Sequence, residues 1–114
     1  MIFFQQYWPV LLIASYFLYK WWAKKRIIAM LPELKTRGAK FIDVRSPAEF
    51  HGGAAPDTIN IPLNDLTKRV EELGKTTPIV VCCATGTRSA MAKAILRSKG
   101  LKEVYNAGSW LNLR

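Results

Sequence analysis

The sequence predicts an α/β fold: a parallel sheet of about four to five short strands flanked by helices, preceded by one transmembrane helix. Two observations lead to this prediction. Short runs of β-branched and other apolar residues alternate along the chain with amphipathic helical patterns, an order typical of parallel sheets covered on both faces. Before them, residues 2–19 form a largely apolar stretch without a charged side chain, unlike the rest of the chain.

Residues 2–22 are predicted to cross a membrane once. At about 1.5 Å rise per residue, the uncharged stretch from Ile2 to Tyr19 reaches roughly 27 Å, close to the thickness of a bilayer core. It is apolar around the whole helix, which disfavours a helix lying in the membrane interface, and tryptophans lie at both ends, as in aromatic belts. The alternatives are a helix packed on the domain and a cleaved signal peptide, although a positively charged start and a typical cleavage site are both missing.

The net charge of +9 is unevenly distributed. Residues 1–40 hold seven Lys and Arg against one Glu, whereas residues 41–114 hold ten against seven acidic residues. By the positive-inside tendency, the basic flank of the apolar stretch predicts a single-pass membrane protein with its domain on the cytoplasmic side. We interpret this flank as contacting anionic lipid head groups rather than nucleic acid. The flank consists of Lys20, Lys24, Lys25 and Arg26.

These features divide the chain into a transmembrane anchor at residues 1–24, a basic juxtamembrane linker or helix at 25–38, and a small α/β domain at 39–114. The linker has the pattern of an amphipathic helix that breaks near Pro32 and ends at Gly38. The length suits one small domain plus an appendage. The sequence does not predict an oligomeric state.

Local signals place the elements of the domain. Ser46-Pro47-Ala48-Glu49 has the pattern of a capping box with proline at the first helical position, which starts a short helix. Leucine and valine at helical spacing over residues 63–73 predict a second helix, and a third follows Arg88 and ends at Gly100. Strands are predicted at Lys40–Val44, Thr58–Ile61, Pro78–Cys82 and Glu103–Asn106.

The third strand leads into the loop that carries the candidate site, Cys83-Ala84-Thr85-Gly86-Thr87-Arg88. In open α/β sheets, ligands bind outside the carboxyl ends of the strands. The backbone N–H groups of residues 84–89 and the positive end of the following helix form an anion site. A Cys83 thiolate would be stabilised there, with a pKa below the usual value of about 8.5. Arg88 could hold an anionic substrate, and Gly86 permits the tight turn.

Burial in the core is the alternative role for both cysteines, since free cysteine is among the most buried residue types. We assign that role to Cys82, because it alternates away from the loop mouth. For Cys83 we favour reactivity, because packing alone does not require a glycine, an arginine and a helix start together. Two cysteines without partner geometry fit a reducing compartment.

The loop resembles the six-residue active-site loop of rhodanese-like domains, with cysteine first and arginine last. Three other segments are similar to motifs of that family and occur in the same order: Phe41–Phe50, Gly53–Pro62 and Val104–Trp110. The resemblance covers about residues 33–112, so it implies a rhodanese-like domain at 39–114. Each motif alone is weak, but four in order are specific.

The resemblance and the loop chemistry together imply a sulfurtransferase. The Cys83 thiolate would take sulfur from a sulfane donor such as thiosulfate or a persulfide, and a thiol or cyanide would accept it from the Cys83 persulfide. Loop residues 84–88 would bind the substrate, while Asp43 and Arg45 would line the pocket or hold its loops. No cofactor is implied, since amides, helix dipole and arginine supply the electrostatics. The alternative is a catalytically weak sulfur carrier or protein-docking module at the membrane.

Several patterns argue for or against particular chemistries. Many active family members carry a cation where this chain has Ala84, which favours a persulfide or protein donor over thiosulfate. The family's usual Gly-His-Ile is here Gly53-Ala54-Ala55.

The active-site loop is one residue shorter than in related phosphatases and arsenate reductases, which disfavours those two activities. His51, the only histidine, fits a solvated loop residue better than a base, and with two adjacent cysteines it cannot form a zinc site. The glycine patterns of Walker-type and dinucleotide-binding loops are missing.

Overall fold

The computed structural model describes residues 2–114, so Met1, the first residue of the predicted anchor, lies outside the described residues. These residues form a four-stranded parallel sheet with helices on both faces. The strands are β1 Lys40–Asp43, β2 Thr58–Asn60, β3 Ile79–Cys83 and β4 Val104–Ser109. The α-helices are α1 Ile2–Thr36, α2 Pro47–His51, α3 Leu63–Leu66 and α4 Thr87–Ser98. Two 3-10 helices cover Thr67–Leu73 and Trp110–Leu113.

The sheet has the strand order β2-β1-β3-β4, and all neighbouring strands are parallel. β3 lies between β1 and β4, and all five of its residues are buried, as its run of β-branched residues predicts. Its carboxyl end is therefore flanked by the ends of two other strands. The parallel sheet flanked by helices confirms the α/β prediction, with four strands in the described part of the chain.

The pairing of β3 with β4 is shifted near its end. Val81 lies opposite Asn106, but the next residue, Cys82, lies opposite Gly108. The extra residue on β4 is a bulge, which bends a strand and re-aims its following side chains. Because of the shift, Ser109 lies opposite Cys83 at the mouth of the candidate site.

Two apolar clusters fill the two faces of the sheet. On one face, Ile42 and Val81 pack with α3, α4 and the first 3-10 helix. On the other face, Val80 and Cys82 pack with α1 and the C-terminal 3-10 helix. Successive strand residues point to opposite faces, so Cys82 belongs to the second cluster and Cys83 to the first. Cys82 thus lies in the core, as predicted.

Helix α1 is continuous over 35 residues, which corresponds to roughly 50 Å. It passes through Pro32, so the predicted break there is absent. Leu31 and Leu34 are buried against the sheet on either side of the proline, and this burial outweighs the lost backbone hydrogen bond. The helix ends at Thr36, and the predicted stop residue Gly38 follows with a φ of 78° that suits glycine. The Ala39 N–H donates to the Leu34 carbonyl at 2.9 Å.

The predicted transmembrane helix at residues 2–22 is wrong, and so is the single-pass membrane localisation based on it. In the described part of the chain, no helix is both long enough and apolar enough to cross a bilayer. Gln5, Gln6 and the polar atoms of several Tyr and Trp side chains lower the hydropathy of this stretch. The cytoplasmic orientation inferred from the basic flank consequently has no basis.

Candidate active site

The candidate loop connects the end of β3 to the start of α4. Cys83 is the last residue of β3, Thr87 is the first of α4, and Gly86 precedes the helix with a φ of 100°. A Cβ atom on Gly86 would lie 3.3 Å from the Cα of Gly108, which follows the bulge in β4. Position 86 therefore requires glycine for two reasons: its left-handed backbone conformation and the close approach of the backbone segment around Gly108.

The Cys83 sulfur is held by donors from its own loop. Its side chain is fully buried, and the Gly86 N–H donates to Sγ at 2.9 Å. Burial raises the pKa of Cys83, but hydrogen bonds from the Ser89 hydroxyl and the backbone N–H groups of Ser89, Gly86 and Thr85 outweigh burial and lower that pKa below its ordinary value. Of the loop amides expected around the thiolate, the Gly86 N–H lies within hydrogen-bond distance of the sulfur.

Ser89 and Asn106 extend this network behind the thiol. The buried Ser89 hydroxyl lies 3.4 Å from Cys83 Sγ, 2.6 Å from Asn106 Oδ1 and 3.0 Å from the Gly86 carbonyl. The Gly108 N–H donates to Asn106 Oδ1 at 2.8 Å, which fixes the orientation of that amide. A hydroxyl can accept from a thiol and donate to a thiolate. The Ser89 hydroxyl can therefore form a hydrogen bond with Cys83 in either charge state.

The arginine of the loop contacts a carboxylate rather than the thiol. Arg88 forms a bidentate ion pair with Glu49, with Nη1–Oε1 and Nη2–Oε2 distances of 2.7 and 2.9 Å. Both side chains are a little over one-third exposed. Glu49 also closes the predicted capping box of α2 through the Ser46 N–H. The hydrogen bonds from Arg88 and then from the Ser46 backbone lower the pKa of Glu49 to about 2, so the pair remains ionised at neutral pH.

Asp43 and Arg45 form a buried clamp beside the loop. Arg45 Nε donates to Asp43 Oδ1 at 2.9 Å, Arg45 Nη2 donates to the Gly53 carbonyl at 2.7 Å, and the guanidinium lies 4.7 Å from the centre of the Trp110 ring. The clamp joins the end of β1, the Gly53–Ala55 segment and the C-terminal 3-10 helix. Of the two roles considered for Asp43 and Arg45, this geometry supports holding the loops.

The remaining cysteine and the histidine lie outside the loop network. Burial and the nearby Asp43 charge raise the pKa of Cys82 to about 12, so this thiol is not a nucleophile at neutral pH. His51 is exposed at the end of α2. Among residues 2–114, no group of three or more His, Cys, Asp or Glu side chains is arranged to hold a metal ion.

The sequence identified the residues of the active-site loop but not the residues outside the loop that hydrogen-bond to them. In the loop, Ala84 is half-buried and Thr85 and Thr87 are exposed, and their role in substrate binding stays a prediction. Glu49 was interpreted as a helix cap, and its pairing with Arg88, 39 positions away, gave no signal in the sequence. Ser89 directly follows that arginine and so was detectable as a hydroxyl near the thiol. Asn106 gave no signal, because its contact with Ser89 depends on the pairing of β4 with β3.

The comparisons with known proteins agree with this geometry. Residues 26–112 match the sequence model of the rhodanese-like domain. The chain is 37% identical over 101 residues to YqhL of Bacillus subtilis, which covers 85% of this chain and 76% of YqhL. It is 30% identical over 80 residues to the thiosulfate sulfurtransferase GlpE of Pseudomonas syringae pv. syringae, covering 70% of this chain and 76% of GlpE.

A solved structure has the same fold. The rhodanese with anions from E. coli is 33% identical to this chain and superposes with a TM-score of 0.62. The superposition covers 65% of this chain and 89% of the E. coli protein. The family match extends over more than half of the sequence, and it includes the cysteine loop, the bulged β4 strand and the Asp43–Arg45 clamp. The chain therefore belongs to the rhodanese-like domain family.

Proposed function

We propose that this protein is a sulfurtransferase that moves sulfane sulfur from a persulfide or thiosulfate donor to a thiophilic acceptor through a persulfide on Cys83. The observation that carries the proposal is the Cys83 sulfur at 2.9 Å from the Gly86 N–H, with a pKa lowered by loop donors despite burial. Family membership adds support, because GlpE is a thiosulfate sulfurtransferase with which this chain shares 30% identity.

In the first step, the Cys83 thiolate attacks the outer sulfur of the donor. A sulfur–sulfur bond forms at Cys83, and the bond between the two donor sulfurs breaks. The donor leaves with the electron pair, as a thiolate from a persulfide or as sulfite from thiosulfate. In the second step, an acceptor thiolate attacks the terminal sulfur, which gives the acceptor persulfide and regenerates the Cys83 thiolate.

The loop donors stabilise the charge in both steps. The N–H groups of Thr85, Gly86 and Ser89 favour the anionic sulfur, as do preorganised donors in other sites of this kind. Ser89 is a positioning residue, since its hydroxyl accepts from the thiol and turns to donate to the thiolate. Because Cys83 is fully buried, a donor sulfur reaches it only after the surrounding atoms move.

The charges around the loop favour a persulfide donor over thiosulfate. Ala84 supplies no charge, and the charge of Arg88 is offset by Glu49 at 2.7 Å. Thiosulfate carries two negative charges, so it gains less from this loop than from one with a free cation. A persulfide needs only the loop amides for its reacting sulfur.

A parallel assay with thiosulfate and glutathione persulfide tests the proposal. We expect transfer by the wild type and none by Cys83→Ser, because the serine hydroxyl does not ionise at neutral pH. Arg88→Ala should lower kcat/KM for thiosulfate by about tenfold or more, as for removal of one charged donor. Transfer by Cys83→Ser at the wild-type rate would overturn the proposal.

A non-enzymatic sulfur carrier is the second candidate, favoured by the Arg88–Glu49 ion pair, which leaves the loop arginine without a free charge for turnover of an anionic donor. Intact-mass measurement after treatment with a persulfide separates the two functions. A gain of about 32 Da on the wild type, absent in Cys83→Ser, indicates a Cys83 persulfide. Rapid loss of that mass on adding a thiol indicates an enzyme, whereas a persulfide that stays on Cys83 without turnover indicates a carrier.

A further inference from the structure

A groove of about 840 Å³ lies between α1 and α4 along the outer edge of β4 and reaches the active-site loop. We call it the basic groove. Of the described residues that line it, five are basic and none is acidic. The basic residues are Lys20, Lys24, Arg26, Lys93 and Arg97.

Helical spacing directs two lysines of α1 over this groove. Ile27, Leu31 and Leu34 recur every three to four residues and pack α1 against the sheet. Lys24 and Lys20 continue the same face towards the helix N-terminus, since residues three and four apart share a helix face. In the part of α1 that precedes its contact with the sheet, the same helix face therefore carries two positive charges.

The opposite wall carries a second basic pair on α4. Lys93 and Arg97 are four residues apart and lie on one face of that helix. Lys93 is partly buried, and burial followed by the charge of Arg97 lowers the pKa of Lys93. In the described part of the chain, no ion pair joins a carboxylate to Lys20, Lys24 or either of these residues. Positive charges that face one another without a carboxylate repel, and a bound anion would offset that repulsion.

The basic groove is connected to the candidate active site. Thr85 of the loop and Ser109 of β4 both line it, and Ser109 lies opposite Cys83 in the strand pairing. A molecule whose anionic part rests between α1 and α4 can therefore present its other end to the loop.

We propose that the basic groove binds the phosphate groups of a low-molecular-weight thiol whose persulfide donates sulfur to Cys83. The inference rests on the proposed function, since the ligand is the donor in that reaction. Phosphates match this site because each offers several acceptor oxygens and up to two charges to Lys and Arg side chains. The volume falls within the range of small-molecule sites, about 300–1,000 Å³, which favours a small ligand over a nucleic acid.

In the transfer itself the phosphates do not react. The outer sulfur of the bound persulfide forms a bond to Cys83, the donor's own sulfur–sulfur bond breaks, and the thiolate product leaves with its phosphates intact. The groove contributes to binding and orientation only.

A series of three donors with the same reacting end tests the inference: the persulfides of pantetheine, 4′-phosphopantetheine and coenzyme A. Only the second and the third carry phosphate groups, and coenzyme A also adds an adenosine, so the step from pantetheine to 4′-phosphopantetheine isolates the contribution of a phosphate. For the wild type we expect kcat/KM to rise along the series, by about tenfold between pantetheine and coenzyme A persulfides, which corresponds to a few partly exposed ion pairs. The preference should shrink as ionic strength rises.

The double variant Lys93→Ala/Arg97→Ala should lose this preference, so that its kcat/KM falls much more with coenzyme A persulfide than with pantetheine persulfide. The matched control is Lys68→Ala/Lys102→Ala, which removes the same charge from exposed positions outside the groove. Equal kcat/KM values for the three donors in the wild type would overturn the inference while leaving the proposed function intact. The inference would also be overturned, with the proposed function intact, if the control variant lost the preference as fully as the groove variant.

Failure of the proposed function is distinguishable, because then none of the three persulfides would add sulfur to Cys83. In that case a calorimetric titration with reduced coenzyme A still tests the groove. Binding to the wild type and the control but not to the groove variant supports the phosphate site, and no binding to the wild type overturns it. Stronger groove-dependent binding of a short single-stranded RNA than of coenzyme A would overturn the assignment to a small molecule.

Discussion

At the scale of single residues, the reactivity of Cys83 depends on donors that counteract its burial. The Ser89 hydroxyl, which contacts Asn106 and the Gly86 carbonyl, accepts a hydrogen bond from the Cys83 thiol and can donate one to the thiolate. We predict that Ser89→Ala raises the pKa of Cys83, since the variant removes a hydrogen bond that stabilises the thiolate. The pH dependence of alkylation by iodoacetamide measures this pKa.

Ser98→Ala is the matched control, because Ser98 is an exposed serine on the same helix. It should leave the alkylation midpoint unchanged. At a fixed pH below the midpoint, Ser89→Ala should react more slowly, since a higher pKa leaves less thiolate. An unshifted midpoint in Ser89→Ala would mean that backbone amides alone stabilise the anion.

The carboxylate of Glu49 offsets the positive charge of the loop arginine, Arg88. We predict that Glu49→Gln raises kcat/KM for thiosulfate a few-fold, because a carboxylate then no longer offsets the positive charge of Arg88 that attracts the dianion. Glutamine also completes a capping box, so α2 should persist, and kcat/KM for a phosphate-free persulfide should hardly change. Steady-state kinetics with both donors measure the effect. An equal loss with both would mean that Glu49 serves only to hold Arg88 in place.

The same ion pair makes a pH-dependent contribution to stability. The pKa of Glu49 is lowered in the folded protein to about 2. Its contribution is therefore present above the ordinary carboxyl pKa of about 4.3 and is lost as pH falls towards 2. Between pH 5 and 8 it should be constant, so the activity profile there follows Cys83 rather than Glu49.

At the scale of elements, the two halves of α1 differ in what they contact. Leu34 is 1% exposed and packs against the sheet, whereas Leu18 on the same helix is 64% exposed. We predict that Leu34→Ala lowers the free energy of unfolding by about 2–5 kcal/mol. Leu18→Ala should change it by no more than about 0.5 kcal/mol. Chemical denaturation measures both, and a large cost for Leu18→Ala would indicate that this half of the helix is buried by a partner in solution.

The elements that sequence patterns predicted well are those whose signal is local. β3 follows from its β-branched run, and α2 from the capping box at Ser46. The continuation of α1 through Pro32 was not predictable, because it depends on tertiary burial of its neighbours rather than on helix propensity. Residues 63–73, predicted as one helix, form α3 followed by a 3-10 helix, a distinction that hydrophobic spacing does not encode.

The candidate site shows the same limit. The contiguous loop from Cys83 to Arg88 could be identified from its sequence, because strand, turn and helix start are all local signals. The Arg88–Glu49 pair joins residues 39 positions apart, and the Ser89–Asn106 contact spans 17 positions. Such contacts depend on strand order and register, which spacing along the chain does not specify.

At the scale of the whole molecule, the Asp43–Arg45 clamp joins three separate parts of the domain. Arg45 contacts Asp43 at the end of β1, the Gly53 carbonyl, and the Trp110 ring near the C-terminus. Both charged side chains are at most 5% exposed. Removing one partner of a buried ion pair leaves the other charge uncompensated, which typically costs about 3–5 kcal/mol. The stability of the whole domain should therefore depend on this pair.

We predict that Asp43→Asn lowers the free energy of unfolding by about 3–5 kcal/mol, because the Arg45 charge stays buried without a counter-charge. Glu72→Gln is the matched control, since it neutralises the carboxylate of the exposed Arg69–Glu72 pair and should cost at most about 1 kcal/mol. Urea denaturation compares the two variants. If they cost the same, water must reach the Arg45 guanidinium, and the domain would be held together by its two apolar clusters without the clamp.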